Sequence, residues 1–194
     1  WVFDLDDTLY PASSNFFPQI AERMGLYVAD RFDIPLAEAK KEQRRLFLEY
    51  GTTLSGLVAE RGINVDEYAE FLMQVDYGRI PHSPALVEAV RKLPGRVLIF
   101  TNGFKEHAEA CLDQLGFAHS DFEAIADIRT IAFKPKPRPI AFETFFSEHG
   151  VDPKTSIFFE DSPKNLRTAK ELGMKTAHLV TDTAWGNMGL EDGD

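Results

Sequence analysis

Asp4, Asp6 and Asp7 follow the apolar start Trp1-Val2-Phe3 directly and precede Thr8. Carboxylates this dense repel one another, and some must protonate unless a cation compensates them. Later apolar runs also end in polar groups. Thr101-Asn102 follows Val97-Leu98-Ile99-Phe100, and Glu160-Asp161 follows Ile157-Phe158-Phe159. Between them lies Phe133-Lys134-Pro135-Lys136-Pro137-Arg138-Pro139, whose lysines are pinned among prolines. Ligands of an open parallel sheet bind beyond the carboxyl ends of its strands. If these runs are strands, one sheet edge gathers the carboxylates, a hydroxyl and a lysine. A first strand running to Asp6 would put Asp4 and Asp6 on one side and Leu5 on the other, by its period of two. A divalent cation removes the conflict of charge, and Mg²⁺ favours one or two carboxylates with waters and substrate phosphate oxygens. The chemistry this set suits is attack by a carboxylate on a phosphate beside a bound metal.

The elements that must position these groups are legible from periodicity. Short β-branched or aromatic runs at the start and at 96–103, 122–128, 155–162 and 174–182 have the length of buried parallel strands. Helical spacings lie between the later ones. Leu86, Val90 and Leu93 share a face, as do Ala108, Cys111, Leu112 and Leu115 before Gly116. Phe142, Phe145 and Phe146 precede Gly150, and Leu166, Ala169 and Leu172 precede Gly173, glycine being the usual helix stop. Strands alternating with helices predict an α/β fold, a three-layer sandwich with a parallel Rossmann-like sheet covered on both faces. Residues 12–83 break the rhythm. Phe16, Phe17, Ile20 and Met24, then Leu36, Ala39, Leu46 and Leu48, then Tyr68, Phe71, Leu72 and Val75 fall mostly at helical spacings. This stretch predicts a separate helical module, 12–83, inserted into a core made of 1–11 and 84–194. Both joints, Tyr10-Pro11 and Ile80-Pro81-His82-Ser83-Pro84, carry prolines as linkers do. The tail at 185–194 reads as frayed.

Composition narrows the partners. Lys plus Arg number 21 against 31 Asp plus Glu, a formal charge of −10, which argues against a nucleic-acid-binding surface. A small phosphorylated substrate held by one or two local cations remains compatible with it. Hydrophobic residues at 44% and 16 phenylalanines supply a packed core. The lone Cys111 cannot form an internal disulfide and fits a reducing compartment, hence a cytoplasmic location. No apolar stretch approaches the ~20 residues of a membrane span, and no signal peptide is visible. Trp1 reads as mid-strand, so the natural N-terminus is expected upstream of it.

Taken in order, the polar segments resemble the haloacid dehalogenase superfamily of hydrolases. The four motifs stand as Asp4-Leu5-Asp6-Asp7-Thr8, Thr101-Asn102-Gly103, Lys136-Pro137 and Glu160-Asp161-Ser162-Pro163-Lys164-Asn165. The helical insertion resembles that superfamily's C1-type cap, which closes over the active site. The resemblance implies an Mg²⁺-dependent phosphomonoester hydrolase working through an aspartyl-phosphate. Asp4 would be the nucleophile, and Asp6 the general acid and then the base. The Asp4 and Asp161 carboxylates and the Asp6 backbone carbonyl would hold the metal. The Thr101 hydroxyl, the Asn102 backbone N–H and the Lys136 ammonium would bind the phosphoryl group. Lys136 rather than Lys134 is taken because Lys136, Pro137, Pro139 and Phe142 fill the family's Lys-Pro-x-Pro-x-x-Phe frame. Glu160 stands where the family has Gly and Asn165 where it has a second Asp, which makes both candidate supporting metal contacts. Expulsion of halide needs no proton, so Asp6 favours a phosphohydrolase over a dehalogenase; a phosphomutase keeps both aspartates and is not excluded.

Within the superfamily, Tyr50–Leu57, Val75–Leu86 and Thr101–Gly116 resemble the pyrimidine 5′-nucleotidase branch. That implies a nucleoside monophosphate substrate, its base contacted near Thr52, Thr53 and Asn15. Phosphatases of sugar phosphates or phosphoglycolate, and a catalytically silent binding module, are the alternatives. Asp7 is expected to cap or face solvent, Lys164 and Lys175 to be solvated, and His107 to pack or face solvent rather than act in catalysis. Phe16 and Phe17 read as core of the insertion before substrate gate. The motifs leave the oligomeric state undetermined.

Overall fold

The computed structural model describes residues 1–180. The frayed reading of the tail falls outside them. Five strands form one parallel sheet in the order β3-β2-β1-β4-β5. They are β1 (Val2–Phe3), β2 (Leu98–Phe100), β3 (Ala124–Ala126), β4 (Ile157–Glu160) and β5 (Lys175–His178). Val2 pairs with both Leu98 and Phe158, so β1 sits centrally. The chain builds outward from β1 to β3 and then crosses to β4 on the other side. The strand order therefore reverses between β1 and β4, the place where such sheets open a crevice for ligands.

Alternation along the strands sorts side chains to two faces. Val2, Leu98, Phe100 and Phe158 pack with Ala141, Phe142 and Phe145 of α7 (Pro139–His149) and Leu166 and Ala169 of α8 (Pro163–Glu171). Phe3, Val97 and Ile99 pack on the other face with Val87 and Val90 of α5 (Pro84–Arg91) and Ala108, Cys111, Leu112 and Leu115 of α6 (Lys105–Leu115). The three-layer α/β sandwich read from the sequence is the observed fold. Phe100 stacks on Phe145 with centroids 4.5 Å apart and meets Phe142 edge-on at 5.3 Å. Phe100, Phe142, Phe145 and Phe158 are all fully buried, and each such ring contributes about 1.5–3 kcal/mol. Prolines occupy the first turn of α5, α7 and α8, where a missing N–H costs nothing. Gly116 and Gly150 end α6 and α7 in the left-handed region.

Between β1 and α5 the chain forms α1 (Phe17–Phe32), α2 (Leu36–Tyr50), α3 (Thr53–Arg61) and α4 (Val65–Leu72), with short 3-10 turns at Ala12–Ser14 and Tyr77–Arg79. No strand lies there among the described residues. α2 and α3 pack backbone-close at Gly56, where a Cβ would stand 2.6 Å from Leu46 Cδ2. Leu48 departs from the expected buried face and is 65% exposed. It lies two residues from buried Leu46, and a helix turns about 200° in two residues. The insertion shares the cores of the sheet layers: Tyr68 meets Phe104 with centroids 6.3 Å apart, and Phe16 lies in the cluster of Phe3 and Ile99. Arg129, just past β3, bonds Asp66 of α4 at 2.9 Å.

Candidate active site

The carboxyl ends of β1 and β4 bring Asp4, Glu160 and Asp161 together, with ligand atoms all within 4.8 Å of one another. Lys136 reaches in between. Its ammonium donates to Asp4 Oδ1 at 2.7 Å, Glu160 Oε2 at 2.8 Å and the Phe100 carbonyl at 2.8 Å. The side chain is only 1% exposed and rests about equally far from the Phe100 and Phe158 rings, at 5.0 and 4.9 Å. Asn102 holds the segment that carries it: Asn102 Oδ1 accepts the Lys136 N–H at 2.9 Å, and Asn102 Nδ2 donates to the Lys136 carbonyl at 3.1 Å. Lys134, the rejected candidate, is exposed. Thr101 is buried at the end of β2, its backbone N–H on the Ala126 carbonyl and its hydroxyl accepting from the Gly103 N–H at 2.9 Å.

The strand β1 ends at Phe3, earlier than a strand running to Asp6. Asp4 extends the ladder by one bond, its N–H donating to the Phe159 carbonyl at 2.9 Å. The chain then turns, Thr8 and Leu9 both donating to the Leu5 carbonyl, with Asp7 left-handed at φ 57°. Asp6 thus leaves the sheet on a turn rather than through strand alternation. Asp7 is buried instead of facing solvent.

The environment of each carboxyl differs. Burial pushes Asp4 up to about 8, with Glu160 adding to the rise and Lys136 opposing it. Burial likewise raises Glu160 to about 7 against the pull of Lys136, and Asp161 to about 6 with help from the Asp4 charge. Asp7 rises to about 6 through burial and the charges of Asp6 and Asp4. Asp6 moves the other way. Burial alone would raise it, but the charge and hydrogen bond of His107 and the hydrogen bond of Tyr10 outweigh burial and hold it below the usual carboxylate value. Burial would lower Lys136; Asp4 and Glu160 outweigh it and keep the ammonium charged.

His107, read as packing or facing solvent, is packed, and its contact with Asp6 is what sequence reasoning missed. It is buried on the first turn of α6, its Nε2 2.9 Å from Asp6 Oδ1 and its Nδ1 3.0 Å from the Tyr77 hydroxyl. Tyr10 also donates to Asp6 Oδ1. The only signal was position: four residues past Gly103, on the helix that leaves the second motif. Asn165 is buried in the first turn of α8. Lys164 and Lys175 are exposed as expected. Of the insertion residues, Thr52 caps α3, its hydroxyl accepting the Ser55 N–H at 3.0 Å and donating to Ser55 Oγ at 2.8 Å. Thr53 is buried and Asn15 exposed. The turn that carries Thr52 does approach the site: a Cβ at Gly51 would stand 2.9 Å from Pro135 Cγ, and Arg138 donates to the Glu49 carbonyl at 3.4 Å.

A family model of haloacid dehalogenase-like hydrolases matches residues 2–173. The chain belongs to this hydrolase family. It is 28% identical over 197 residues to Phosphate metabolism protein 8 of Saccharomyces cerevisiae, covering 93% of this chain and 61% of that protein's length. It is 24% identical over 184 residues to an N-acetylmuramic acid 6-phosphate phosphatase of Pseudomonas aeruginosa, covering 91% of this chain and 79% of that one. Among solved structures it resembles the UTR4 protein of Saccharomyces cerevisiae with a TM-score of 0.58 at 17% identity, covering 100% of this chain and 93% of that chain. Among the described residues no helix is long and apolar enough to cross a membrane.

Proposed function

We propose that this protein is an Mg²⁺-dependent phosphomonoester hydrolase that acts through an aspartyl-phosphate on Asp4. The observation that carries the reading is the clustering of Asp4, Glu160 and Asp161 around a single buried lysine at the strand-order reversal. Three carboxyl groups whose proton affinity is raised by crowding and burial, all offering hard oxygen donors, fit a divalent cation. Asp4 and Asp161, the Asp6 carbonyl and, from this geometry, Glu160 are the groups to hold it, with Asn165 in support. Bound there, Mg²⁺ would screen an anionic nucleophile from an anionic phosphate.

The chain's own groups supply the rest. Asp4 attacks phosphorus in line, while Lys136, the Thr101 hydroxyl and the Asn102 N–H offset charge on the phosphoryl oxygens. Asp6 gives a proton to the leaving alcohol oxygen and then takes one from the water that attacks the phosphorylated Asp4. His107 and Tyr10 hold Asp6 ionised in the free protein, so it has room for a proton; arrival of a phosphate dianion beside it favours the protonated form that the first step uses. The two relatives reported above bear names that refer to phosphate, in keeping with this reading.

The helices of 12–83 serve as the cap, and we assign the substrate as a nucleoside monophosphate, in line with the nucleotidase-like Tyr50–Leu57 stretch. The approach of Gly51 to Pro135 supports a role for that turn in reading the substrate. Because the hydroxyl of Thr52 is engaged by Ser55, base contacts fall to backbone of that turn before its side chains. The Pseudomonas relative favours a second reading, a sugar phosphate. A buried free Cys111 fits a reducing, cytoplasmic setting. The test is phosphate release from UMP, CMP, AMP, GMP, sugar phosphates, phosphoglycolate and p-nitrophenyl phosphate, with Mg²⁺ and with EDTA. Metal-dependent release led by pyrimidine nucleotides is expected. Release led by sugar phosphates transfers the substrate assignment to the second reading, and no release from any ester refutes the hydrolase.

A further inference from the structure

Asp6 is held directly by a residue of the insertion's entering joint and, through His107, by one on the turn before its leaving joint. Tyr10, on the entering segment, donates to Asp6 Oδ1. His107 Nε2 lies 2.9 Å from the same oxygen, and Tyr77, on the leaving segment, puts its hydroxyl 3.0 Å from His107 Nδ1. An ionised carboxylate only accepts, so the N–H on Nε2 donates to Oδ1, with the Tyr77 hydroxyl on the other ring nitrogen. Phe16 closes the group. Its ring lies parallel to the imidazole with centroids 5.8 Å apart, edge-on to Tyr10 at 5.5 Å and tilted to Tyr77 at 5.1 Å. Both side-chain donors fall on Oδ1. Asp6 Oδ2 faces elsewhere: a Cβ built on Gly103 would stand 3.7 Å from it and 3.3 Å from Thr101 Oγ1. Asp6 Oδ2, which takes no side-chain donor among the described residues, and the hydroxyl of Thr101 thus border the same space over Gly103.

We propose that His107 is a positioning residue that, with Tyr10 and Tyr77, fixes Asp6 so that Oδ2 alone exchanges the proton in catalysis. A proton on Oδ1 would point at two donors and forfeit one of their bonds, whereas a proton on Oδ2 leaves both intact. The inference rests on the reading of Asp6 as acid and base. In the first half-reaction the Oδ2–H proton passes to the bridging oxygen, which keeps the electron pair of the broken P–O bond. In the second, water oxygen bonds to phosphorus, the bond from phosphorus to the Asp4 oxygen breaks, and the water proton goes to Oδ2. His107 keeps its Nε2 proton throughout. Because Tyr10 lies at the entering joint and Tyr77 on the 3-10 turn just before the leaving one, the orientation of Asp6 depends on the insertion being seated.

The test compares His107→Ala, His107→Gln and Tyr77→Phe in the Mg²⁺-loaded protein on an alkyl phosphate and on p-nitrophenyl phosphate, whose leaving group scarcely needs a proton. His107→Ala is expected to lower kcat for the alkyl ester about 10–100-fold, a large part of what general acid catalysis supplies, and that for the nitrophenyl ester less than about 3-fold, with both KM values little changed. Gln, whose amide N–H can reach Oδ1, is expected to recover most of the loss, and Tyr77→Phe to show a smaller loss of the same selectivity. Equal losses on both esters, no loss on either, or Gln no better than Ala overturns the proposal. Should the alanine variant not fold, the glutamine and phenylalanine variants decide by the same ratio of kcat values. Asp6→Asn run alongside separates the two levels. If it shows the leaving-group selectivity and the His107 and Tyr77 variants do not, only the positioning role fails; if it shows none, the acid–base reading fails and this inference with it.

Discussion

Replacing Lys136 with Met is the sharpest test of the site's electrostatics. The ammonium is buried and joins two carboxyl groups and the Phe100 carbonyl; Met keeps much of the volume and removes the charge and three donors. The cost depends on what charge the carboxyls carry. Asp4 and Glu160, raised to about 8 and about 7, are mostly neutral at pH 5 in the metal-free protein. There the variant loses only hydrogen bonds, a net of about 1–2 kcal/mol. At pH 8.5 both groups are largely ionised in the native protein, and removing their cation strands buried negative charge, which costs about 3–5 kcal/mol. Lys136 itself is held charged, with its proton affinity raised. Its own proton is therefore retained below the unfolded lysine value of about 10.4, across the whole scanned range, and the pH dependence comes from the two carboxyl groups. At roughly 2–4 °C per kcal/mol, Tm should fall by about 6–20 °C at pH 8.5 and clearly less at pH 5. The assay is thermal unfolding of wild type and variant in EDTA at both pH values. An equal loss at the two, or a larger one at pH 5, would refute the reasoning.

Other consequences follow from the same geometry. Asp4→Asn removes a charge without changing shape, so phosphate release should vanish while Tm stays within a few degrees of wild type; turnover at the wild-type rate would remove Asp4 as nucleophile. In EDTA, wild type should lose stability as pH rises from about 4 to about 8, since Asp4, Asp7, Glu160 and Asp161 bind protons more tightly when folded. Asp6, held low, works oppositely, adding stability that is lost as pH falls; calorimetry across this range, repeated with Mg²⁺, should show the metal's stabilising effect growing with pH. Gly56→Ala places a methyl 2.6 Å from Leu46 Cδ2 and 2.9 Å from its Cβ, and urea unfolding should report a loss of about 1–3 kcal/mol.

The sheet and α5–α8 were legible because β1 to β4 lie in short apolar runs and each helix carries a clear face, with Gly116 and Gly150 as stops. The order of motifs at strand ends was legible too, since charge at such positions has few structural uses. α3 was not. It buries Thr53, Ser55 and Gly56 beside Leu54 and Leu57, a small-residue face fitted to α2 that hydrophobic periodicity does not register. Leu48 was misplaced because apolar content was counted where angle around α2 decides. His107 escaped for another reason: its meaning lies in Asp6 and Tyr77, 101 and 30 residues away, and a lone histidine on a helix gives no sign of such partners. Asp7 was read as capping or facing solvent because its burial depends on the turn after β1, which strand periodicity from Val2 onward could not foresee.

The central claim is that phosphate is transferred to Asp4. Wild-type protein mixed with Mg²⁺ and a hydrolysed phosphomonoester, quenched in acid within a turnover and digested, should yield one phosphorylated peptide. Fragmentation should place the phosphoryl group on Asp4, and Asp4→Asn should yield none. Turnover without any phosphopeptide, or a phosphoryl group on another residue, would contradict the account.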